Sequence, residues 1–353
     1  MDWTFWMLVI LGTLFALAVT GVLFFYYYSK WNYLPIVVRI FEEKPVFKHH
    51  KAEPVPYAED FRIPTTDGLT LAASLIRSSH PEKKGLILFA PEYGGNRWTC
   101  MFYAGHLLEA GYDLFTFDFR NHGDSDYQTD YHPLQWVTQH EVADVRAVVQ
   151  FLKQAPFCPP DGIGFFGVSR GAGSGIVACS GDSFIKCLVT DGAFGTVATM
   201  IRFMIKWVSI YNSKVNLHKW IPKWGYGMLA LATLSEVHRR RKLSFPSVRN
   251  ALRRLGSKRQ QLFMIHGKAD GYIRPEIALD LRKAAPDRYS RLWMVEGAKH
   301  NQAIDVAEEE YQANTAAFFM DHLHTEAVPQ SVPNIQLENS RARSDSHFTS
   351  AGI

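Results

Sequence analysis

Hydrophobic and polar positions divide this chain into three regimes. From Trp3 to Ser29 no charged side chain occurs, and Leu8 to Leu17 is almost wholly apolar. The run exceeds the ~20 residues a helix needs to cross a bilayer. Trp3 and Trp6 at one end, with Tyr26, Tyr27, Tyr28 and Trp31 at the other, match interfacial aromatic belts. From Phe61 to His322 short apolar runs alternate with segments of helical period. The tail from Thr325, rich in Ser, Pro, Asn and Arg, has too little apolar content to fold alone.

The middle regime carries the element pattern. Phe61 to Pro64, the turn Thr65-Thr66-Asp67-Gly68 and Leu69 to Ile76 predict an antiparallel hairpin. Further strands are expected at Leu86 to Ala90, Tyr112 to Phe117, Ile163 to Phe166, Lys186 to Val189, Leu262 to Ile265 and Leu292 to Val295. Helical patterns lie between them at Trp98 to Ala110, Val142 to Lys153, after Ser169, at Pro275 to Ala284 and at Ile304 to His322. Such alternation predicts an α/β fold with a mostly parallel sheet covered on both faces. Residues 32 to 56, with Pro35, Pro45, Pro54 and Pro56, read as a stiff juxtamembrane connector.

Chemistry enters at Gly167-Val168-Ser169-Arg170-Gly171, a G-x-S-x-G between an apolar strand and a small-residue helix. In that context the serine sits on a sharp turn with its hydroxyl above the sheet edge. Two later strands end in loops that supply a base and an acid. His266-Gly267-Lys268-Ala269-Asp270 follows one, and Glu296-Gly297-Ala298-Lys299-His300 follows the other. Loops at the carboxyl ends of strands line one rim of an open α/β sheet, so the three groups are expected together. His300 would take the proton from Ser169, and Asp270 would fix the imidazole tautomer. Asp191, after the strand Lys186 to Val189, is the rival acid.

With these motifs the chain resembles the α/β-hydrolases of the serine esterase, lipase and serine-aminopeptidase-like type, over residues 57 to 324. Asp118-Phe119-Arg120-Asn121-His122-Gly123-Asp124-Ser125 is similar to the family's D-x-R-G-H-G-x-S run, and His266 to Asp270 to its H-G-x-x-D. The resemblance implies an eight-stranded, mostly parallel sheet with a helical cap inserted at about 196–256. It also implies an oxyanion hole from the backbone N–H groups of Tyr93 and Arg170. The chain departs from the family at Pro91-Glu92, where His-Gly is usual, and Glu92 places a carboxylate near developing negative charge. His122, His266 and Asp118 are expected to be structural. His140-Glu141-Val142-Ala143-Asp144 lacks the second histidine of a zincin, so neither a metal nor an organic cofactor is expected.

Charge adds orientation rather than chemistry. The net charge of +4 and the lack of any nucleic-acid signature argue against that class of partner. Lys30, Arg39, Lys44, Lys48 and Lys51 flank one side of the apolar run, which places the catalytic part on the cytoplasmic side. A cleaved signal peptide is the competing reading, but the run lacks a basic start and continues past Ala16-Leu17-Ala18. Cys100, Cys158, Cys179 and Cys187 show no framework spacing and are expected as free thiols. The insertion is aromatic and basic. Met200, Phe203, Met204, Trp207, Ile210 and Tyr211 recur at helical spacing, and nine basic residues with no acidic one lie between His238 and Arg259. The expected organisation is an anchor (1–31), the connector, a hydrolase domain and a disordered tail (325–353). The expected function is a membrane-anchored serine hydrolase of an ester or thioester with an apolar acyl group, its partners being that substrate and the bilayer. A non-catalytic scaffold, an amide hydrolase and an acyltransferase are the alternatives.

Overall fold

The computed structural model describes residues 2–43, 50, 52–211 and 217–323. Lys44, Lys48, Lys51 and the tail 325–353 lie outside the described residues. Eight strands form one sheet: β1 (Glu59–Pro64), β2 (Thr70–Ile76), β3 (Gly85–Ala90), β4 (Tyr112–Phe117), β5 (Ile163–Val168), β6 (Ile185–Asp191), β7 (Gln261–Gly267) and β8 (Ser290–Val295). Their order is β1-β2-β4-β3-β5-β6-β7-β8. Only β2 runs against the rest, pairing antiparallel with β1 and with β4. The hairpin turn closes at Gly68, whose φ of 87° a side chain would strain.

The centre of the sheet is buried because its strands have two apolar faces. Along β3, Leu86, Leu88 and Ala90 join one core cluster while Ile87 and Phe89 join the other. The strand period of two sends alternate residues to opposite layers. One layer holds helices Gln139–Leu152, Arg170–Cys179 and Pro275–Ala284; the other holds residues 100–109 and helix Glu308–His322. The first of these helices starts on a capping box, with Thr138 and Glu141 satisfying each other's backbone N–H groups. Glu141, the acidic residue of the zincin-like run, is thereby spent on the helix cap, and Asp144 on Arg120 at 2.6 Å. All four cysteines are buried and unbonded.

The apolar N-terminal helix is as expected, whereas the connector and the end of the cap differ from the pattern-based expectation. Helix α1 (Trp3–Asn32) has the length and apolarity to cross a membrane. It is followed by a second helix, α2 (Leu34–Glu42), inside the stretch expected as a connector. Pro35 opens this helix, where its missing N–H costs nothing. Leu34, Val38 and Phe41 are buried on one face of α2. Phe41 stacks on Trp136 at 4.7 Å, and the Trp136 indole N–H donates to the Phe41 carbonyl at 2.8 Å. The stretch expected as a cap contains helices Thr196–Tyr211, Leu217–Trp220, Lys223–Arg241 and Val248–Leu252. The last of these packs into the main core through Val248, Ala251 and Leu252, so the insertion over the sheet ends before it.

Candidate active site

The site begins where β5 stops. Ser169 has φ 51° and ψ −113°, outside the regions a side chain normally adopts, and helix Arg170–Cys179 starts at the next residue. Strain of this kind costs about 1–3 kcal/mol and persists where the surroundings enforce it. Here they do. The Ser169 N–H donates to the Asp191 carbonyl at 2.7 Å, and both flanking glycines are sterically required. A Cβ on Gly171 would lie 2.3 Å from the Ala90 carbonyl oxygen, and one on Gly167 2.8 Å from the Ala172 Cα.

The loops after β7 and β8 bring the other two groups to this turn. His300 Nε2 lies 2.9 Å from Ser169 Oγ, and His300 Nδ1 lies 2.7 Å from Asp270 Oδ2. A nitrogen facing a carboxylate carries the proton, so Nε2 is left as the acceptor for the serine hydroxyl. The other oxygen of Asp270, Oδ1, accepts the N–H groups of Tyr272 and Ile273, each at 2.8 Å. These bonds aim Oδ2 at the imidazole. Gly192, with φ 67°, clears space on the opposite side, since a Cβ there would lie 3.1 Å from His300 Cε1.

Asp191 is not on the histidine. Its carboxyl is buried and accepts from the Tyr311 hydroxyl at 3.2 Å, and burial pushes it up to about 7. His266, at the end of β7, and His122, in the loop after β4, are each held by hydrogen bonds to nearby groups. His266 Nε2 donates to the Ile273 carbonyl at 2.7 Å, tying down the acid loop, and burial lowers its pKa. His122 pairs Nδ1 with the Arg120 carbonyl at 2.9 Å and accepts from Arg170 at 3.1 Å. Burial, with the Arg170 charge beside it, pushes His122 down to about 4. Asp118 holds its own loop, accepting from the Arg97 N–H at 2.6 Å and the Asp124 N–H at 3.0 Å.

Tyr93 lies in the loop after β3, and Arg170 opens the helix that follows Ser169. Among the described residues, no hydrogen bond within the protein takes either backbone N–H. That leaves both donors for an oxyanion. The Arg170 side chain is fully buried under the Tyr93 ring, 4.9 Å from its centroid, and donates to the Leu134 carbonyl at 3.0 Å. It lies 3.5 Å from Glu141, which holds the side chain in place. Glu92 turns into the interior. It accepts from the Thr99 hydroxyl at 3.3 Å, its Oε1 has no partner among the described residues, and burial pushes it up to about 7.

Sequence reasoning did not find Tyr272, Tyr311 or the Arg170 guanidinium. Tyr272 lies 5.6 Å from the His300 ring, centroid to centroid, and Phe203 of the insertion packs on Tyr272 at 5.2 Å. Tyr272 lies two residues after the predicted acid, a proximity that could have singled it out. Tyr311 reaches Asp191 across 120 positions, a pairing no local pattern encodes.

Strand order, the single antiparallel strand and the serine elbow together define the α/β-hydrolase fold. The structure is similar to the esterase Pf2001 of Pyrococcus furiosus, with a TM-score of 0.54 and 22% identity over 80% of this chain and 98% of that one. It is also similar to Est1E of Butyrivibrio proteoclasticus, solved with ferulic acid bound, with a TM-score of 0.53 and 18% identity over 74% and 98% of the two chains. GrgF of Penicillium sp. sh18, an α/β-hydrolase, gives 0.55 and 15% identity over 76% and 99%. No protein-family model and no curated protein matches the sequence.

Proposed function

We propose that this protein is a serine hydrolase that cleaves an ester or thioester carrying an apolar acyl group, held at a membrane by α1. The observation that carries the reading is the line Ser169–His300–Asp270, at 2.9 and 2.7 Å, on a strained turn. Ser169 Oγ attacks the carbonyl carbon while its proton passes to His300 Nε2. The carbonyl oxygen takes the negative charge, and the N–H groups of Tyr93 and Arg170 receive it. The proton then goes from His300 to the leaving oxygen or sulfur, leaving an acyl group on Ser169. Water repeats the sequence and frees the acid. No metal or organic cofactor enters any of these steps.

The esterase Pf2001 among the similar structures lends this reading its chemistry, and α1 lends it the membrane. Lys30 and Arg39 beside α1 support a cytoplasmic catalytic part by the positive-inside tendency. Fold alone leaves a scaffold role open, and the feature favouring it is the Glu92 carboxyl behind the oxyanion site. Its burial answers the charge problem, because the neutral form dominates below about pH 7. A fluorophosphonate probe decides between the two. Wild-type protein should be labelled and Ser169→Ala should not; equal absence of labelling in both would leave the scaffold reading standing.

A further inference from the structure

A cavity of 740 Å³ lies between α1, α2 and the insertion helices, away from Ser169, Asp270 and His300. That volume falls in the ~300–1,000 Å³ range of small-molecule sites. Its lining is dominated by apolar and aromatic side chains: Phe25 from the end of α1, Phe41 from α2, Trp136 from the body, and Phe203 and Met204 from the insertion. Four aromatic or aliphatic lining residues mark an open side, with Tyr28 50%, Tyr33 44%, Ile36 55% and Trp207 38% exposed. The charged lining residues Arg39 and Glu43 pair with each other at 3.7 Å, both exposed.

Three observations choose the occupant. First, one wall of the cavity is the terminal part of α1, an apolar helix of membrane-spanning length, at the level of its second aromatic belt. A chain leaving the bilayer interior beside α1 meets this opening without crossing water. Second, the wall contains Tyr226, 4% exposed, whose hydroxyl has no partner among the described residues. An orphaned buried hydroxyl is costly, and an acceptor oxygen elsewhere on a bound lipid satisfies it. Third, two rings link the cavity to the triad. Phe203 lines it and packs on Tyr272 at 5.2 Å, and Tyr272 packs on His300 at 5.6 Å.

We infer that this cavity is the seat of a long acyl chain of a bilayer lipid, entering alongside α1, with its carbonyl end passing Phe203 and Tyr272 to reach Ser169. The membrane helix is then part of the binding site as well as a tether. The inference rests on the ester or thioester hydrolase reading for its reaction, but the seat itself is a binding claim. It predicts selectivity: a long acyl chain uses the cavity and an acetyl group does not.

The test uses the full chain in micelles. Photocrosslinking with a diazirine-bearing palmitic acid, mapped by mass spectrometry, should mark residues 25–41, 200–208 and 221–229. Met204→Trp and Val208→Trp, each filling the cavity, should reduce both the crosslink and kcat/KM for a p-nitrophenyl palmitate at least tenfold. For p-nitrophenyl acetate kcat/KM should stay within twofold, with fluorophosphonate labelling of Ser169 intact. Crosslinks confined to other surfaces, or equal loss on the two esters with labelling retained, overturn the seat. Wild-type crosslinking needs no variant, so a Trp substitution that fails to fold leaves the claim open to refutation. Absence of fluorophosphonate labelling in the wild type defeats the hydrolase reading instead, and the crosslink map still judges the cavity.

Discussion

At the residue scale the two candidate acids are separated by what each carboxyl touches. Asp270 holds the His300 N–H and is itself held by two backbone donors. Asp270→Asn presents an amide where the carboxylate fixes the tautomer, and kcat should fall by about 10³–10⁴-fold. Asp191 is pushed up to about 7 and accepts one bond from Tyr311, a role an amide oxygen can fill. Asp191→Asn should therefore change kcat less than about tenfold. Ester turnover of the two variants, measured in parallel, decides the assignment; equal losses would refute it. Glu92 yields a prediction about stability. Its pKa is about 7 in the fold against 4.5 ordinarily, so between those values the native state keeps a proton the unfolded state has lost. Stability from this group is complete below about pH 4.5 and declines as pH rises through about 7. Glu92→Gln removes that slope. Denaturant titrations at pH 4.5 and 8 should show the variant gaining about 1–3 kcal/mol on wild type at the higher pH. A gap independent of pH would mean that the carboxyl does not ionise in that window.

At the element scale α2 is where pattern reading went astray. Its prolines suggested an extended connector, yet Pro35 occupies the first turn, and buried Leu34, Val38 and Phe41 lie at spacings of four and three. That spacing was legible in the sequence. What was not legible is the surface that receives it, because Trp136 lies 95 positions away. If the docking holds in solution, Phe41→Ala removes the stack on Trp136 and should cost about 3–5 kcal/mol. An unchanged unfolding midpoint would show that α2 does not pack there. The basic run between His238 and Arg259 is likewise reread through its partners. Arg239 and Arg240 bond Glu236, Arg241 bonds Glu42 of α2, and Arg254 bonds the carbonyls of Val177 and Ser180. At least four of its cations are thus engaged within the protein as well as offered to its surroundings.

At the scale of the whole molecule the sheet was readable strand by strand, since each buried strand is a short apolar run bounded by turn residues. The elbow was readable too, because its glycines are demanded by contacts that any strand–turn–helix of this geometry makes. The sequence by itself determined the eight strands, the long apolar helix, the strained serine and the short list of acids and bases. These depend on local period and local sterics, which the chain carries from residue to residue. Tertiary structure alone decided that Asp270 rather than Asp191 meets His300, that Glu92 turns inward, and that α1 and α2 join the insertion around a cavity. Each of those outcomes sets a distance between residues far apart in the chain. Such distances follow from how layers pack and which buried polar atoms find partners, and no single segment encodes them.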